Sequence, residues 1–573
     1  MNRAAISVAT VAAILLPLVA CAPAAGPGGP STGGGSDAVR AAPQRTLVIA
    51  VRGEPPSLAD KHIVPFTAAL RVPLKLFNAT LDGADEQERS FPYLAEALPQ
   101  LNTDTWRLFP DGRMENTYRL KPQLTWHDGT ALSSEDFVFA WRVYATPQLG
   151  AATTPPIGLM EEVAAPDPRT VVIHWRQPFA DAGTLQDTFQ AFPRHILGDQ
   201  FQNLDPVAFS NAPFWTQEYV GLGPYRLDRW EPGAFIEAQA FDGYVLGRPK
   251  IDRLKIVFIA DPNTALANIL AGEVHYVGEF VFADDHAATL EREWAAAQGG
   301  TTLYAPTALR VSVVQMRPEY VDPPGLLDVR VRRALAHGID AELVNDVLNS
   351  GKGIITSTLT SPRVPFYAEI ERGVTKYPHD PRRTQQLMED AGLVRGQDGF
   401  FAGRDGAPFH LQVWSSSGTK NEQENAVIVD SLRKAGVDAS RQVFSAVQLA
   451  DSQARALIPG LSTRGQQAKP LKDYTTDQIP RPENRWAGEN RGGWVSPAYD
   501  RAFDAYSRAL DPSERIRQIA EIEQLFTQEL PGIPHWFNPS VTAHVAGLKG
   551  PVARQTPDAA QGILRIHEWE WRS

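Results

Sequence analysis

The sequence predicts an α/β fold, because strand-like segments alternate with helical ones along the chain. The strand-like segments are short, rich in β-branched residues and bounded by turn-forming residues. They lie at residues 45–52, 170–175, 254–259, 309–316 and 409–414. The segments between them carry apolar residues at helical spacing, and the sequence shows no repeat of solenoid length.

Capping residues predict where several helices begin. Asp328 precedes a stretch with apolar residues at i, i+3, i+4, i+7 and i+8, and Asp340 begins a second stretch that Gly351 ends. Three further helices are expected to start at an Asp-Pro pair, because Asp suits the N-cap and Pro fits the first turn. These pairs begin at Asp261, Asp380 and Asp511. Glu514 is spaced to complete a capping box with the last of them.

The composition excludes several classes of protein. The chain has 573 residues and a net charge of -11 at pH 7, which argues against nucleic-acid binding. Its single cysteine excludes a disulfide framework and a cysteine-based metal cluster. No run of 18 apolar residues follows residue 21, so we do not expect the body of the protein to span a membrane.

The N-terminal segment is typical of an exported protein. In residues 1–20, Arg3 supplies a positive charge and an apolar stretch follows, as in a secretory signal. Leu18-Val19-Ala20-Cys21 resembles a bacterial lipobox, in which the cysteine carries lipid and becomes the first residue of the mature protein. The alternative is an ordinary signal peptide with a cysteine nearby by chance. Residues 21–44 are rich in Gly, Pro, Ser and Ala, which predicts a flexible tether.

The sequence contains no convincing catalytic or cofactor motif. Residues 460–465 are one residue too long for a nucleophile elbow, and residues 350–353 lack the Ser or Thr that a phosphate loop needs after its Lys. The 12 histidines are scattered, without convincing metal-ligand spacing. We therefore expect no enzyme, no cofactor and no metal, although distant residues could still assemble a catalytic site.

Aromatic residues suggest where a ligand could bind. Trp414 ends a predicted strand and is followed by Ser415 and Ser416. Trp486 and Trp494 lie in the stretch 461–496, which is predicted to be irregular. Such a long irregular stretch inside a folded protein is usually functional or disordered. A tryptophan there can line a ligand cleft or seal the edge of a core, and both alternatives stay open.

Four segments together resemble the family 5 solute-binding proteins of ABC importers, the oligopeptide, dipeptide and nickel type. The segments contain, in chain order, Trp126-His127-Asp128-Gly129-Thr130, Gly221-Leu222-Gly223-Pro224-Tyr225, Ala271-Gly272-Glu273-Val274 and Asp328-Val329-Arg330-Val331-Arg332. Each motif is moderately specific, but their order and spacing together point to one family. They are turns, caps and strand ends, so they identify the family without naming the ligand.

The resemblance implies a two-lobe periplasmic-binding-protein-like fold, with an extra α+β domain and a ligand cleft between the lobes. Lobe I is expected at residues 45–81, 196–310 and 535–573, and the extra domain at residues 82–195. Lobe II is expected at residues 311–534. Two crossings near residues 311–320 and 531–538 would form the hinge.

The resemblance also directs attention to Arg464. Peptide-binding members of the family hold the ligand's ammonium with an Asp in a strand motif, and the stretch that corresponds to it here, residues 460–464, ends in Arg464. A cation there would repel an ammonium and attract a carboxylate or a phosphate. Alternatively, the register differs or Arg464 pairs with a local acid such as Asp473. The candidate ligand-binding residues are Phe66, Trp414, Ser415, Ser416, Arg464, Trp486 and Trp494.

We therefore expect an extracytoplasmic substrate-binding lipoprotein that captures a peptide-like or other small solute and delivers it to an ABC import permease. It would be a monomer, anchored through lipid on Cys21 at the periplasmic or extracytoplasmic face of the cell membrane. A ligand sensor or chaperone of the same fold and a periplasmic hydrolase are the alternatives. Arg464 predicts poor binding of peptides with free N-termini and better binding of N-blocked, anionic or sugar-like ligands.

Overall fold

The strands predicted from the sequence are present in the computed structural model. It describes residues 46–59, 72–149, 152–153, 155–467, 470–557 and 562–572. The predicted signal peptide and tether, the candidate lipid site Cys21 and the candidate ligand-binding residue Phe66 lie outside these residues. All of the described residues belong to one unit, Arg45–Ser573.

All five segments predicted as strands overlap one, and the segment at 309–316 overlaps only the last part of a 15-residue strand that ends at Val314. The strands are β1 Leu47–Val51, β2 Asp82–Ala84, β3 Ser90–Pro92, β4 Trp106–Leu108, β5 Met114–Arg119, β6 Met160–Asp167, β7 Thr170–Trp175, β8 Tyr225–Glu231, β9 Phe235–Ala240, β10 Arg253–Phe258, β11 Tyr276–Val277, β12 Gly300–Val314, β13 Ile354–Ile355, β14 Leu393–Arg395, β15 Phe401–Gly403, β16 His410–Ser415, β17 Asp438–Val443, β18 Leu461–Gln466, β19 Gly532–Val545, β20 Leu548–Lys549 and β21 Glu570–Trp571.

The predicted helix starts are confirmed, since each predicted capping Asp accepts a hydrogen bond from a backbone N–H of its helix. The helices are α1 Ser134–Tyr144, α2 Arg194–Asn203, α3 Pro206–Ser210, α4 Pro262–Leu270, α5 Asp284–Ala297, α6 Val329–Gly338, α7 Ala341–Asn349, α8 Tyr367–Glu371, α9 Pro381–Asp390, α10 Thr419–Lys434, α11 Ala446–Ala450, α12 Ser452–Ala456, α13 Pro497–Arg508 and α14 Pro512–Glu529.

The predicted capping box at Asp511 is only half formed. The Asp511 carboxylate accepts the backbone N–H of Glu514 at 2.9 Å. The Glu514 side chain instead meets Arg517 and Gln518 further along the helix. The ion pair with Arg517 and the hydrogen bond from the Gln518 amide therefore take the place of the bond between the Glu514 side chain and the backbone of Asp511.

One large mixed sheet runs through the molecule. Its order is β17-β16-β18-β12-β19-β11-β1-β10-β9-β8, with β13 added to β19. The long strands β12 and β19 lie in the middle of this sheet and pair antiparallel along nearly their whole length. Their register shifts after Pro306 and again after Arg310. Strands β1 and β8–β11 lie on one side of this pair, in the ranges predicted for lobe I, and β16–β18 lie on the other, in the range predicted for lobe II. Since β12 and β19 contribute to both lobes, they connect them.

The extra domain is built on a separate antiparallel sheet. Its order is β4-β5-β7-β6. Helix α1 lies against this sheet and buries Phe137, Val143 and Tyr144. Because these residues share a hydrophobic cluster with Tyr225 and Ile256, the extra domain packs directly on lobe I. The domain boundaries given above stay a prediction.

Lobe II has apolar residues on both faces of its part of the sheet. One cluster includes Val413, Ile428 and Leu461, and the other includes Leu309 and Phe526. Helices α10 and α14 contribute to these clusters, so the strands lie between helical layers. The α/β prediction is confirmed. In the described part of the chain, no helix is both long and apolar enough to cross a membrane.

The stretch 461–496 is less irregular than predicted. Its first residues form β18, which pairs antiparallel with β12 and parallel with β16. The prediction was wrong there because Ser462, Thr463 and Gly465 do not suggest a strand. Their pairing depends on neighbours about 50 and 150 residues earlier in the chain, which local propensity cannot reveal.

Candidate functional site

A cavity of about 720 Å³ lies between the lobes, where the middle of β12 and the end of β18 meet lobe I. Lobe I contributes Phe280, Arg554 and Pro557, and β12 contributes Thr307, Ala308 and Arg310. The remaining lining residues come from lobe II, mainly from β18 and from the segment that follows it. The volume is sufficient for a small organic ligand or a short peptide.

Two arginines share one glutamate on the lobe II wall. Arg464 Nη1 lies 2.5 Å from Glu489 Oε2, and its Nη2 donates to the Glu489 backbone carbonyl at 2.8 Å. Arg491 Nη2 lies 3.2 and 3.1 Å from the two carboxylate oxygens of Glu489. Burial alone would raise the pKa of Glu489, but the two guanidiniums outweigh it and lower the pKa below its ordinary value. Glu489 is therefore a carboxylate at neutral pH.

The burial of this wall also affects its other titratable groups. Burial, reinforced by the charge of Arg464, lowers the pKa of Arg491 to about 10. Burial raises the pKa of Asp473 to about 6, against the opposing attraction of Arg464. The Asp473 carboxylate has no hydrogen bond or ion-pair partner within 4.0 Å among the described residues. It is thus an acid of the cavity wall whose charge is not matched by direct contact.

The other arginines of the cavity are matched by acids. Arg310 donates to Glu424 through Nε at 3.1 Å and forms an ion pair with it through Nη2. On lobe I, Arg554 contacts both carboxylate oxygens of Glu279, with Nη2 at 2.9 Å from Oε2. Both Arg554 and Glu279 are almost fully buried. These pairs hold the wall in place without leaving a free charge.

A row of hydrogen-bonded side chains leads from the cavity wall into the sheet. Thr463 Oγ1 lies 2.8 Å from Ser312 Oγ, which lies 2.8 Å from His535 Nε2. Burial, with a smaller contribution from Arg310, lowers the pKa of His535 to about 3, so its imidazole is neutral. The row joins β18, β12 and β19 at the point where the lobes connect.

The sequence comparisons decide the family. A sequence model described as "Bacterial extracellular solute-binding proteins, family 5 Middle" matches residues 96–471, which is more than half of the chain. The chain belongs to this family. The resemblance drawn from the four sequence motifs is therefore confirmed.

Individual family 5 proteins are distant relatives. The oligopeptide-binding protein AppA of Bacillus subtilis is 24% identical over 368 residues, covering 63% of this chain and 63% of that protein. The chain thus spans less than two thirds of that relative's length. HbpA2 from Haemophilus parasuis matches 92% of this chain and 100% of its own, with a TM-score of 0.73 at 17% identity. NikZ from Campylobacter jejuni, solved with Ni(L-His), matches 92% and 100%, with a TM-score of 0.67 at 20% identity.

The solved structures share the fold, so the two-lobe prediction is confirmed for this family 5 chain. Of the candidate ligand-binding residues, Arg464 and Ser416 line the cavity between the lobes. Arg464 pairs with a local acid, as one alternative foresaw, but that acid is Glu489 and not Asp473.

The other described candidates lie outside the lining of this cavity. Ser415 is buried and accepts a hydrogen bond from Asn425. The Trp414 ring packs against Phe444, with ring centroids 5.1 Å apart. Trp486 is half-buried, and Trp494 packs against Tyr499 in a hydrophobic cluster. Trp494 is only 3% exposed, and its position agrees with the structural one of the two roles left open for these tryptophans. Ligand contact by any candidate stays a prediction.

Sequence reasoning missed most of the lining. Phe280, Arg310, Glu489, Arg491 and Arg554 carry no motif, and Asp473 was considered only as a partner for Arg464. The one available signal was the density of charged residues after β18. The structure has no group of three or more His, Cys, Asp or Glu in its described residues that could hold a metal ion.

Proposed function

We propose that this family 5 protein captures a small zwitterionic solute, such as a short peptide, and delivers it to an ABC import permease. The observation that supports the proposal is the charge arrangement of the lobe II wall. Glu489 neutralises only part of the charge of Arg464 and Arg491, whereas Asp473 has no direct partner among the described residues. The relative AppA is named an oligopeptide-binding protein, which agrees with this class of ligand.

The ligand class differs from the sequence-based expectation. A free guanidinium at Arg464 would select an anion, but Glu489 already occupies that guanidinium at 2.5 Å. A ligand ammonium near Asp473 would give this carboxylate the charged partner that it lacks among the described residues. A ligand carboxylate or carbonyl could approach Arg464 and Arg491. A peptide with a free N-terminus offers both groups at once.

Capture requires no covalent chemistry. Strands β12 and β19 connect the lobes, and the cavity has walls from both of them. A ligand that contacts both walls binds the closed arrangement more tightly and shifts the population towards it. The proposal keeps the domain boundaries given by the sequence, with the hinge at the two crossings.

Calorimetric titration of the protein without residues 1–20, with trialanine and with N-acetyl-trialanine, tests the ligand class. We expect trialanine to bind at least about tenfold more tightly, because acetylation removes the ammonium that Asp473 would pair with. Tighter binding of the acetylated form would support the original Arg464 expectation instead. Mass spectrometry of ligand released from denatured protein would identify the native solute independently.

The proposal includes a lipid anchor on Cys21, a monomeric state and a location at the periplasmic or extracytoplasmic face of the membrane. It rests on the lipobox resemblance of residues 18–21. Cys21→Ser should release the protein from the membrane fraction on cell fractionation. A variant that pelleted with membranes as the wild type does would contradict the anchor without affecting the ligand proposal.

A further inference from the structure

A second cavity lies at the junction of the extra domain, lobe I and the C-terminal segment. Its volume is about 340 Å³, at the lower end of the range for small-molecule sites. The β2–β3 hairpin, the loop before β10, Val552 and residues 562–568 contribute to its lining. Among the described residues, it has no lining residue in common with the cavity between the lobes.

Apolar side chains form much of the wall of this junction cavity. They are Phe91, Leu246, Val552 and Leu564. Leu564 is buried, whereas Val552 is 38% exposed. The cavity can therefore accept the hydrocarbon body of a ligand and remove it from water.

The polar lining carries two hydrogen-bonding atoms without partners. Glu86 Oε2 and His567 Nδ1 are both buried and have no hydrogen-bond partner among the described residues. The side chains that bear them are only 18% and 10% exposed. Burial lowers the pKa of His567, so the ring is neutral and does not compensate Glu86. Leaving such atoms unsatisfied is unfavourable, and a ligand that donates hydrogen bonds would remove that cost.

The charges around the junction cavity favour a cation. Arg565 lies 3.8 Å from Glu86 and 3.0 Å from Glu568, so two carboxylates share one guanidinium. The third carboxylate of the lining, Asp85, is matched by Arg89 at 2.8 Å. An anionic ligand would meet excess negative charge, and an uncharged apolar ligand would leave Glu86 unsatisfied.

We propose that the junction cavity is a second ligand site, which binds a small organic amine. The ammonium of the amine donates to Glu86 Oε2, and its apolar body packs between Phe91 and Leu564. The neutral imidazole of His567 is an additional acceptor when its Nδ1 is unprotonated. This site is independent of the solute cavity between the lobes.

Titration of the protein without residues 1–20 with 2-phenylethylamine tests the proposal, with 2-phenylethanol as the uncharged ligand of the same shape. Ligand-observed NMR and calorimetry would give the affinities. We expect the amine to bind about tenfold more tightly than the alcohol, since it supplies a charge-assisted hydrogen bond. Equal affinities, or no binding of the amine, would overturn the proposal.

Three variants locate the site. Glu86→Gln should reduce amine binding to the level of the alcohol, and Val552→Trp should block both ligands, because a larger side chain in the lining takes up space in the cavity. Glu115→Gln is the matched control. Glu115 is also on the extra domain, and its side chain is 19% exposed, which is similar to the 18% of Glu86. It should bind the amine as the wild type does. Val552→Trp keeps the test decisive if Glu86→Gln fails to fold.

A fourth variant separates this site from the solute cavity. If Asp473→Asn weakens amine binding and Glu86→Gln does not, the amine occupies the cavity between the lobes and the junction proposal fails. If Glu86→Gln reduces amine binding to the level of the alcohol but leaves trialanine binding unchanged, both proposals are supported. Loss of trialanine binding alone would concern only the solute proposal.

Discussion

The two walls of the cavity between the lobes differ in how their arginines are paired. On the lobe I wall one arginine pairs with one glutamate, whereas on the lobe II wall two arginines share a single glutamate. Arg554 and Glu279 are 7% and 4% exposed, and Glu279 accepts from the guanidinium with both oxygens. Glu489 is 44% exposed, and its Oε2 contacts both Arg464 and Arg491, while Oε1 contacts Arg491 alone. Asp473, in the same wall as Glu489, has no direct partner among the described residues.

This difference in pairing assigns a structural role to the lobe I wall and a role in ligand recognition to the lobe II wall. A charge pair that is buried and fully hydrogen-bonded offers a ligand nothing to complete, and its loss leaves an uncompensated charge. Groups that are partly satisfied and open to the cavity can gain an interaction from a ligand. We therefore expect substitutions on the lobe I wall to affect stability, and substitutions on the lobe II wall to affect binding.

The largest expected effect is on the lobe I wall. Glu279→Gln should lower the free energy of unfolding by about 3–5 kcal/mol, because Arg554 would be left buried without its counter-charge. Glu489→Gln, on the more exposed wall, should cost about 1 kcal/mol or less. Urea denaturation of both variants measures the difference. Equal losses would show that the two walls do not differ in the way described.

The next effect is on binding, and it depends on the proposed function. Asp473→Asn should weaken trialanine binding at least about tenfold, or about 1.4 kcal/mol, by removing the charge that faces the ammonium. Asp477→Asn is the control, since it makes the same change in the same segment without lining the cavity. Calorimetry gives both constants. If the two variants bind trialanine alike, Asp473 has no role in recognition.

Asp473 should also make stability depend on pH. Its pKa in the folded protein is about 6, above its ordinary value of 3.8. Its contribution to stability is therefore complete below pH 3.8 and is lost as the pH rises through 6. Asp473→Asn should be more stable than the wild type by about 1 kcal/mol at pH 7.5, after allowance for solvent screening, and equal to it at pH 3.5. Urea midpoints at these two pH values test the sign, and a stability difference that did not change with pH would contradict it.

The smallest expected effect is on trialanine affinity, through an ion pair outside the cavity that would favour the closed arrangement. Asp181 of the extra domain lies 2.5 Å from Arg515 of α14, so this ion pair joins the two sides outside the cavity. Asp181→Asn should weaken trialanine binding about twofold, since exposed ion pairs contribute about 0.5 kcal/mol. Glu514→Gln removes an ion pair within α14 and should leave binding unchanged. Equal trialanine affinities for the two variants would show that the Asp181 pair does not favour the closed arrangement.

Much of the fold could be predicted from the sequence, because its signals are local. The helix starts at Asp261, Asp328 and Asp380 depend on hydrogen bonds to backbone groups two or three residues away. The strand at Thr170–Trp175 depends on its own β-branched residues and their alternation. The family followed from short motifs of the same kind, since turns and caps keep their residues wherever the backbone needs them.

The candidate site could be predicted only in part, because its contacts join distant segments. Arg464 was identified, but its partner Glu489 is 25 residues further on and is reached only because β18 enters the sheet between β12 and β16. Phe280 and Arg554 share the cavity with it through the folding of β12 and β19 across both lobes. The sequence by itself determined the local elements, the family and the net charge. The tertiary structure decided which charges are paired and which are left open, because pairing depends on distance and burial.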